Sequence, residues 1–191
     1  DVTEREERKE ELQRERDRFK TLFESLPAAA IRSRFEDGEP IVRQVNPAFE
    51  ETFGYDAETI VGSDLDSFVV PAEASQSSDE INHKLLDGDR VSRQVSRQTA
   101  DGIREFHAEI VSLDPGAETT EAYAIYIDVT DDIRTRRRLE ALFENSPDMI
   151  DIHDIDGTIL DANQRFCEEL GYTEPELIGS KVWEIDKELD P

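Results

Sequence analysis

The chain is poor in cysteine and lysine and has no long apolar segment. It contains one cysteine, Cys167, and five lysines among its 191 residues. A single cysteine excludes a disulfide framework within the chain and is typical of a reducing compartment. No apolar run approaches the ~20 residues needed to span a bilayer, and we expect no signal peptide. We therefore expect a cytoplasmic segment that makes no direct membrane contact.

Basic residues are also scarce relative to acidic ones. The chain has 22 basic and 47 acidic residues and a net charge of −25, which speaks against nucleic acid or an anionic membrane as a partner. The acidic residues are spread along the chain and the apolar residues recur periodically, so a folded protein is expected. Many carboxylates with few lysines predict adaptation to a salt-rich cytoplasm, where a Debye length of ~3 Å at 1 M salt screens self-repulsion. An ordinary acidic mesophilic protein is the alternative.

Several phrases occur twice. They are DVT at 1–3 and 128–130, LFESLP at 22–27 and LFENSP at 142–147, NPAFEETFGY at 46–55 and NQRFCEELGY at 163–172, and IVGSD at 60–64 and LIGSK at 177–181. A period of about 120 residues predicts tandem domains, since solenoid repeats are much shorter. The expected segments are an N-terminal signalling helix at 1–21 that begins with the end of a preceding unit at 1–3, a complete domain at 22–130, a linker helix at 131–145 and a partial second domain at 146–191.

Apolar periodicity and turn residues predict the secondary structure of the complete unit. The predicted elements are a strand over 29–35, a strand over 41–45, a helix from Pro47 to Gly54 with Asn46 as N-cap, a short helical turn over 57–60 capped by Asp56 and closed by Gly62, a helix carrying Ile81, Leu85 and Leu86, and strands over 91–99, 103–113 and 123–129. Tight turns between neighbouring strands imply an antiparallel sheet, and the central helices must cover one of its faces. The predicted fold class is α+β.

Four features of this unit, in this order along the chain, resemble the PAS family of sensory domains. They are the N-x-x-F-x-x-x-x-G-Y phrase, the I-x-G-S turn that follows it, the Asp-Gly hairpin before Ile103-Arg104-Glu105-Phe106, and DVT, which is similar to the family's Asp-Ile-Thr motif. The resemblance covers residues 22–130 and the first half of the next unit. It implies a five-stranded antiparallel sheet with helices over one face and, where a ligand is bound, a pocket between them. With the acidic composition, it points to a haloarchaeal sensor kinase or transducer.

The aromatic residues of the repeated phrase are candidates for lining such a pocket. Phe49 and Phe53 are spaced i, i+4, so both face one side of their helix, and Tyr55 can pack over the same core. Packing in the core is the interpretation that the residues themselves favour. The pocket candidates implied by the resemblance are Ile31, Phe49, Phe53, Tyr55, Ile81, Leu85, Phe106 and Ile125. Asn46, Gly54 and Gly62 are expected to be structural.

The resemblance speaks against flavin and haem, and the ligand stays unknown: a small organic molecule or none. Flavin-binding light sensors of the family use an Asn-Cys-Arg-Phe phrase, which is absent, and Cys167 aligns with Glu50 in a helix. Haem-binding members carry a histidine on the long helix, but the aligned position falls near Ser77 and not at His83. The three histidines lie on separate predicted elements and form no catalytic constellation. We expect no enzymatic activity in this chain, although the parent protein could be a histidine kinase of a two-component system.

The segments between the units predict signalling helices. Leu12, Phe19, Leu22 and Leu26 follow a thin a/d heptad seam, and Leu139 and Leu142 occupy the positions of Phe19 and Leu22. The distance from Asp1 to Leu22 is 21 residues and that from Asp128 to Leu142 is 14, a difference of one heptad. A whole heptad keeps the same helix face toward a partner. The hypothesis is a homodimer through parallel linker helices; a solvated single helix is the alternative.

The resemblance also implies that Asp128 and Thr130 couple the last strand to the outgoing helix. Family members often place an arginine shortly after this motif. Arg5 stands there after the first DVT, but Asp132 stands there after the second, so no such Asp-to-Arg clasp is implied at the second junction. The leading interpretation is a non-enzymatic sensor and relay module. The alternatives are the regulatory part of a histidine kinase and a ligand-free dimerisation scaffold.

Overall fold

The computed structural model describes residues 2–113, 115 and 119–185. The helices and strands, in chain order, are α1 (Val2–Ser25), β1 (Ala29–Glu36), β2 (Glu39–Val45), α2 (Pro47–Phe53), α3 (Ala57–Ile60), α4 (Asp66–Val69), a 3-10 turn (Ala72–Ala74), α5 (Ser75–Leu86), β3 (Val91–Thr99), β4 (Gly102–Leu113), β5 (Glu121–Asp128), α6 (Thr130–Glu144), β6 (Asp151–His153), β7 (Ile159–Ala162), α7 (Gln164–Leu170), α8 (Glu174–Leu177) and α9 (Val182–Ile185). The chain divides into two compact units, residues 1–130 and 131–191. Among the helices described, none is long and apolar enough to cross a membrane.

Unit 1 (residues 1–130) contains a five-stranded antiparallel sheet in the order β2-β1-β5-β4-β3. The two strands at the start of the unit and the three at its end meet where β1 pairs with β5. Helices α2 to α5 lie between β2 and β3 in sequence and contact β1, β3 and β4. The predicted α+β class and the antiparallel sheet with helices on one face are confirmed.

Helix α2 begins and ends where its sequence indicates. The Asn46 side chain accepts a hydrogen bond from the Phe49 N–H at 2.9 Å, and Pro47 occupies the first turn. Gly54 ends the helix in a left-handed conformation, with φ of 74°. The next helix, α3, requires a correction, because the Asp56 side chain makes no capping bond. The Glu50 carboxylate instead accepts from the Ala57 N–H at 2.7 Å.

The face of the sheet toward the helices carries the core of unit 1. Phe106, Ala108 and Ile110 are buried along β4, where they alternate with the less buried His107 and Glu109. On β5 the buried residues are Ala122, Ala124 and Tyr126. Ile125, expected at the pocket, belongs to the other set of β5 residues, with Tyr123 and Ile127. Both sets are apolar, so the period of two along the strand could not indicate which set the helices cover.

Helix α1 differs from the expected N-terminal segment. It continues to Ser25, beyond the predicted boundary at residue 21, and Phe23 near its end is buried. Val2 and Thr3, expected to end a strand of a preceding unit, are helical, while Asp1 lies outside the described residues. The described residues offer them no strand to pair with, and the charged run that follows consists mainly of strong helix formers, so the helix includes them.

Unit 2 (residues 131–191) repeats the first elements of unit 1. An antiparallel β6–β7 hairpin leads into α7, whose N-cap is Asn163 and whose C-cap is Gly171 in the left-handed region. Apolar residues of β7, α7, α8 and α9 form a small core of their own. At the hairpin turn, Asp154 accepts hydrogen bonds from the N–H groups of Asp156 and Thr158. Gly157, with φ of 73°, completes the turn, and its N–H donates to the Asp154 carbonyl.

Candidate functional site

A small cavity lies between the sheet and helices α4 and α5 of unit 1. Its volume is about 20 Å³, which is room for a water-sized group. Both its helix side and its sheet side carry apolar and polar side chains. The lining residues are Ser33, Phe35, Pro40, Leu65, Asp66, Ser78, Ile81, Asn82, Leu85, Arg97, Ile110, Ala122, Ala124 and Tyr126. We call this space the inner cavity.

Asp66 supplies the negative charge of the inner cavity. One of its carboxylate oxygens, Oδ2, accepts hydrogen bonds from Ser78 Oγ at 3.0 Å and from Asn82 Nδ2 at 2.7 Å. Burial raises the pKa of the Asp66 carboxyl above its usual value, and the two hydrogen bonds and the nearby Arg97 charge offset only part of this effect. The first turn of α4 thus holds a carboxylate whose environment penalises its charge.

Arg97 supplies the positive charge. It lies on β3 with only 2% of its surface exposed. Its Nη1 donates to the Ser96 carbonyl at 3.1 Å, and the guanidinium carbon lies 5.8 Å from the centroid of the Tyr126 ring, within cation–π range. Its Nε is buried and has no hydrogen-bond partner among the described residues. Because an unpaired buried donor is destabilising, Arg97 is a candidate for contacting a ligand.

The residues predicted to line a pocket occupy three different places. Ile81 and Leu85 line the inner cavity. Ile31, Phe49, Phe53 and Phe106 are fully buried in the core, where the ring of Phe53 stacks on Phe49 at 4.6 Å and on Phe106 at 4.9 Å. Tyr55 packs edge-on against Phe68 at 5.5 Å. The expected position of Ile125 is corrected, because it faces the opposite side of the sheet.

The polar residues of the inner cavity did not emerge from sequence reasoning. Asp66, Ser78 and Asn82 lie on two helices whose contact depends on the tertiary fold. A signal did exist for Arg97. It shares its strand parity with the buried Val91 and Val95, but Arg93 does so too and is exposed, so the alternation of β3 narrows the inward arginine to these two.

Asn46 forms a buried hydrogen-bond network that we call the Asn anchor. Its Oδ1 accepts from Ala30 N at 2.8 Å and Phe49 N at 2.9 Å. Its Nδ2 donates to the Leu26 carbonyl at 3.3 Å and the Ala28 carbonyl at 2.9 Å. The side chain therefore joins the segment after α1, strand β1 and helix α2, which is far more than the N-cap expected of it.

Asn163 forms a second Asn anchor in unit 2. Its Oδ1 accepts from Ile150 N and Phe166 N, each at 3.0 Å. Its Nδ2 donates to the Phe143 carbonyl at 2.9 Å and the Asp148 carbonyl at 3.0 Å. Because Phe143 belongs to the last turn of α6, this anchor holds the end of the linker helix directly.

The start of α6 is held by the residues expected to couple it to the sheet. Thr130 Oγ1 accepts from Glu105 N at 3.0 Å, and the Thr130 N–H donates to Asp128 Oδ1 at 2.9 Å. Arg104 donates to the other carboxylate oxygen of Asp128 at 3.3 Å. Burial opposes ionisation of Asp128, but the bonds from Thr130 and Arg104 outweigh it and hold its pKa below the usual value. An arginine partner for Asp128 thus comes from β4, while Asp132 has the wrong charge for this role.

The end of α1 packs on the other face of the sheet and leaves an apolar groove. The groove has a volume of about 220 Å³ and is lined by Phe19, Leu22, Phe23, Leu26, Ala30, Tyr123, Ala124 and Ile125. The Phe19 ring meets Tyr123 edge-on at 5.7 Å, so one residue of the predicted heptad seam contacts its own sheet. Leu12 and Leu22 remain largely exposed.

The residues considered for cofactor or metal chemistry lie apart. His83 is exposed on α5 and its Nδ1 lies 2.7 Å from the Asp79 carbonyl oxygen. Cys167 is a half-buried residue of α7, and burial raises the pKa of its thiol. The described part of the chain brings no three His, Cys, Asp or Glu residues together in a cluster suited to a metal ion.

Comparison with protein families decides the identity of the two units. The PAS domain model matches residues 17–90 and 137–191, which together exceed half of the chain. The chain belongs to the PAS domain family. Its two matched regions contain the two Asn anchors. No curated protein matches the sequence significantly.

Solved structures share the PAS fold at low sequence identity. The PAS domain of an HTR-like protein from Haloarcula marismortui is 21% identical, with a TM-score of 0.50, over 64% of this chain and 98% of that one. The Rhodobacter sphaeroides LOV protein is 14% identical, with a TM-score of 0.54, over 68% and 74%. An RNA-binding light-oxygen-voltage receptor is 21% identical, with a TM-score of 0.55, over 65% of this chain but only 35% of the receptor. At these identities the similarity shows the fold alone.

Proposed function

We propose that the chain is a sensory relay module of a cytoplasmic signal-transduction protein. Its PAS unit 1 senses a change in its core, and α6 passes that change onward. The observation that carries the proposal is the attachment of α6 at both ends. Thr130, its first residue, accepts a hydrogen bond from the Glu105 N–H of β4. In its last turn, the Phe143 carbonyl accepts a hydrogen bond from the Asn163 side chain.

The route begins in the sheet. Tyr126 of β5 lines the inner cavity, and Phe106 and Asp128 are direct partners in the β4–β5 register. A change in cavity packing that shifts β4 against β5 would therefore move Glu105 and Asp128, which together fix Thr130. In this proposal the helix has two positions, and the state of the cavity biases the population of each.

The relay is proposed to act in a homodimer. Leu139 and Leu142 of α6 are each 62% exposed, as is Leu12 of α1. Leucines at a and d positions that stay exposed on a single helix are suited to a parallel partner helix. The heptad difference between the two linkers would keep the leucine face aligned from one unit to the next.

The role is regulatory in this proposal, and any catalytic step belongs to a domain outside the chain. An inert dimerisation scaffold is the competing account. It predicts that the pairing of α6 matters but its rotation does not. The two accounts can therefore be separated by changing the phase of the helix without removing it.

The test inserts two, five or seven residues after Arg136 in the full-length protein. This site lies in the middle of α6 and leaves Thr130 and Phe143 in place. Seven residues should preserve signalling output, whereas two or five should lock or invert it, because at about 100° per residue they rotate the helix by about half a turn. An Ala-Glu-rich insert of each length controls for helix stability. Equal output from all three insertions would overturn the relay.

A further inference from the structure

We propose that the inner cavity of unit 1 binds an uncharged amide-type group, which accepts a hydrogen bond from Arg97 and donates one to Asp66. The proposal rests on the sensory role above and specifies the ligand class of that same site. It concerns the group that enters the cavity and not the remainder of a larger ligand.

The unused hydrogen-bonding positions define both halves of the ligand group. The buried Arg97 Nε has no partner among the described residues, so it calls for an acceptor. Asp66 uses Oδ2 for both Ser78 and Asn82, and no hydrogen bond within the described part of the chain reaches its Oδ1. That oxygen can accept from a donor on the ligand. A carbonyl next to an N–H group meets both needs at once.

Charge decides between an amide and its ionic relatives. The inner cavity holds one cationic and one anionic side chain, so an uncharged group leaves the two balanced. A carboxylate would pair with Arg97 but face the like charge of Asp66, and an ammonium group would face Arg97. Because Arg97 is almost fully buried, an unbalanced charge at this site is unfavourable. The amide is therefore preferred over the isosteric carboxylate.

The size of the cavity connects binding with signalling. A volume of about 20 Å³ admits a water-sized group, so an amide enters only when a wall moves. On the helix side, the wall includes side chains from the α4–α5 region, among them Leu65, Ile81 and Leu85. Occupancy must shift these helices against the sheet. Such a shift is the change in packing that the relay requires.

Formamide and formate provide a matched pair of probes, since they are similar in size and differ in charge. The experiment follows backbone amide signals of the full chain by NMR during titration with each probe, with potassium chloride holding ionic strength constant. We expect saturable shifts at Asp66, Ser78 and Arg97 with formamide, and at least about tenfold weaker binding of formate.

Two substitutions make the test specific. Asp66→Asn removes the anion and keeps the size of the side chain, so formate should gain affinity relative to formamide. Arg97→Lys keeps the charge but removes the Nε donor, so binding of both probes should fall. A ligand-independent control is the NMR spectrum of each variant, which shows whether unit 1 is folded.

Equal binding of formate and formamide to the unaltered protein would overturn the proposal. So would the absence of saturable shifts with either probe, which would mean that the cavity takes a single water molecule only. An unchanged preference in Asp66→Asn would also contradict it. The insertion experiment on α6 needs no added ligand. It therefore tests the relay separately, and a negative result with formamide would overturn the amide site alone.

Discussion

The two units contain the same Asn anchor in very different surroundings. In unit 1, Asn46 lies beneath a five-stranded sheet and a large core that includes the stacked rings of Phe49, Phe53 and Phe106. In the described part of unit 2, Asn163 is supported by a two-stranded hairpin and a small core. Three of the four hydrogen bonds of each asparagine nevertheless correspond, and the fourth goes to the Leu26 carbonyl in unit 1 but to the Phe143 carbonyl, which aligns with Phe23, in unit 2. The anchor is thus determined by its local sequence, while the remaining strands add burial.

The glycines that follow the two repeated helices show where the surroundings matter. Gly54 and Gly171 have nearly the same backbone conformation, with φ of 74° and 75°. A methyl group at Gly54 would lie 2.7 Å from the Ala100 Cβ, whereas nothing lies within 4 Å of one at Gly171. The β3–β4 hairpin approaches α2 closely, because Ala100 N donates to the Phe53 carbonyl. The same turn is therefore under tighter constraint in unit 1.

Lowering the salt concentration should have the largest effect. A net charge of −25 is screened at molar potassium chloride and repels itself in dilute buffer. We expect the melting temperature to fall by at least about 10 °C between 2 M and 20 mM salt, with unit 2 unfolding first because its core is smaller. Trp183, the single tryptophan, lies in unit 2, so its fluorescence separates the two transitions. Equal melting temperatures at both concentrations would contradict salt adaptation.

Removal of an anchor should be the next largest effect. Asn46→Ala deletes four hydrogen bonds and leaves buried backbone groups unpaired, so the free energy of unfolding of unit 1 should fall by about 4 kcal/mol. Asn163→Ala should instead lower the stability of unit 2 and release the end of α6. Urea unfolding followed by circular dichroism and by Trp183 fluorescence measures both. Loss of unit 1 in the Asn163→Ala variant would show that the two anchors are not independent.

The two glycines offer a smaller and more selective comparison. Gly54→Ala should destabilise unit 1 by about 3 kcal/mol, since it combines backbone strain with the contact at Ala100. Gly171→Ala should cost about 1 kcal/mol, because only the backbone strain applies. Thermal unfolding of the two variants gives the difference. Similar losses at both positions would mean that the hairpin yields to the added methyl group.

Asp128 should give the smallest effect, and a pH-dependent one. Its folded-state pKa is lowered, so its stabilising contribution is present above the unfolded-state pKa, near 3.9, and is lost as pH falls through the lower folded-state value. The melting temperature of the unaltered protein should therefore drop more steeply below about pH 4 than that of Asp128→Asn. At pH 7 the variant should be only slightly less stable. If the melting temperatures of the two proteins changed with pH in the same way, Thr130 and Arg104 would not favour the ionised carboxylate of Asp128.

The sequence predicted the fold well because the caps, turns and apolar patterns that define its elements are local features of the chain. The boundaries of α2 follow from Asn46, Pro47 and Gly54, and β3 from its apolar alternation. The buried face of β5 could not be chosen, since Ile125 and Ala124 are both apolar. The polar residues of the inner cavity also could not be predicted from the sequence. Asp66 meets its partners only after α4 and α5 have packed together.

The central claim is that two copies of the chain pair through α6 and relay a signal along it. This claim rests on the exposed leucines of that helix. The most direct test attaches spin labels at Leu139→Cys or at Arg137→Cys, each in a Cys167→Ser background, and measures the distance between subunits by pulsed electron paramagnetic resonance. The account predicts a short, narrow distance at position 139 and a longer one at position 137, on the outer side of the helix. Absence of coupling between subunits at either position, at protein concentrations well above those in the cell, would contradict it.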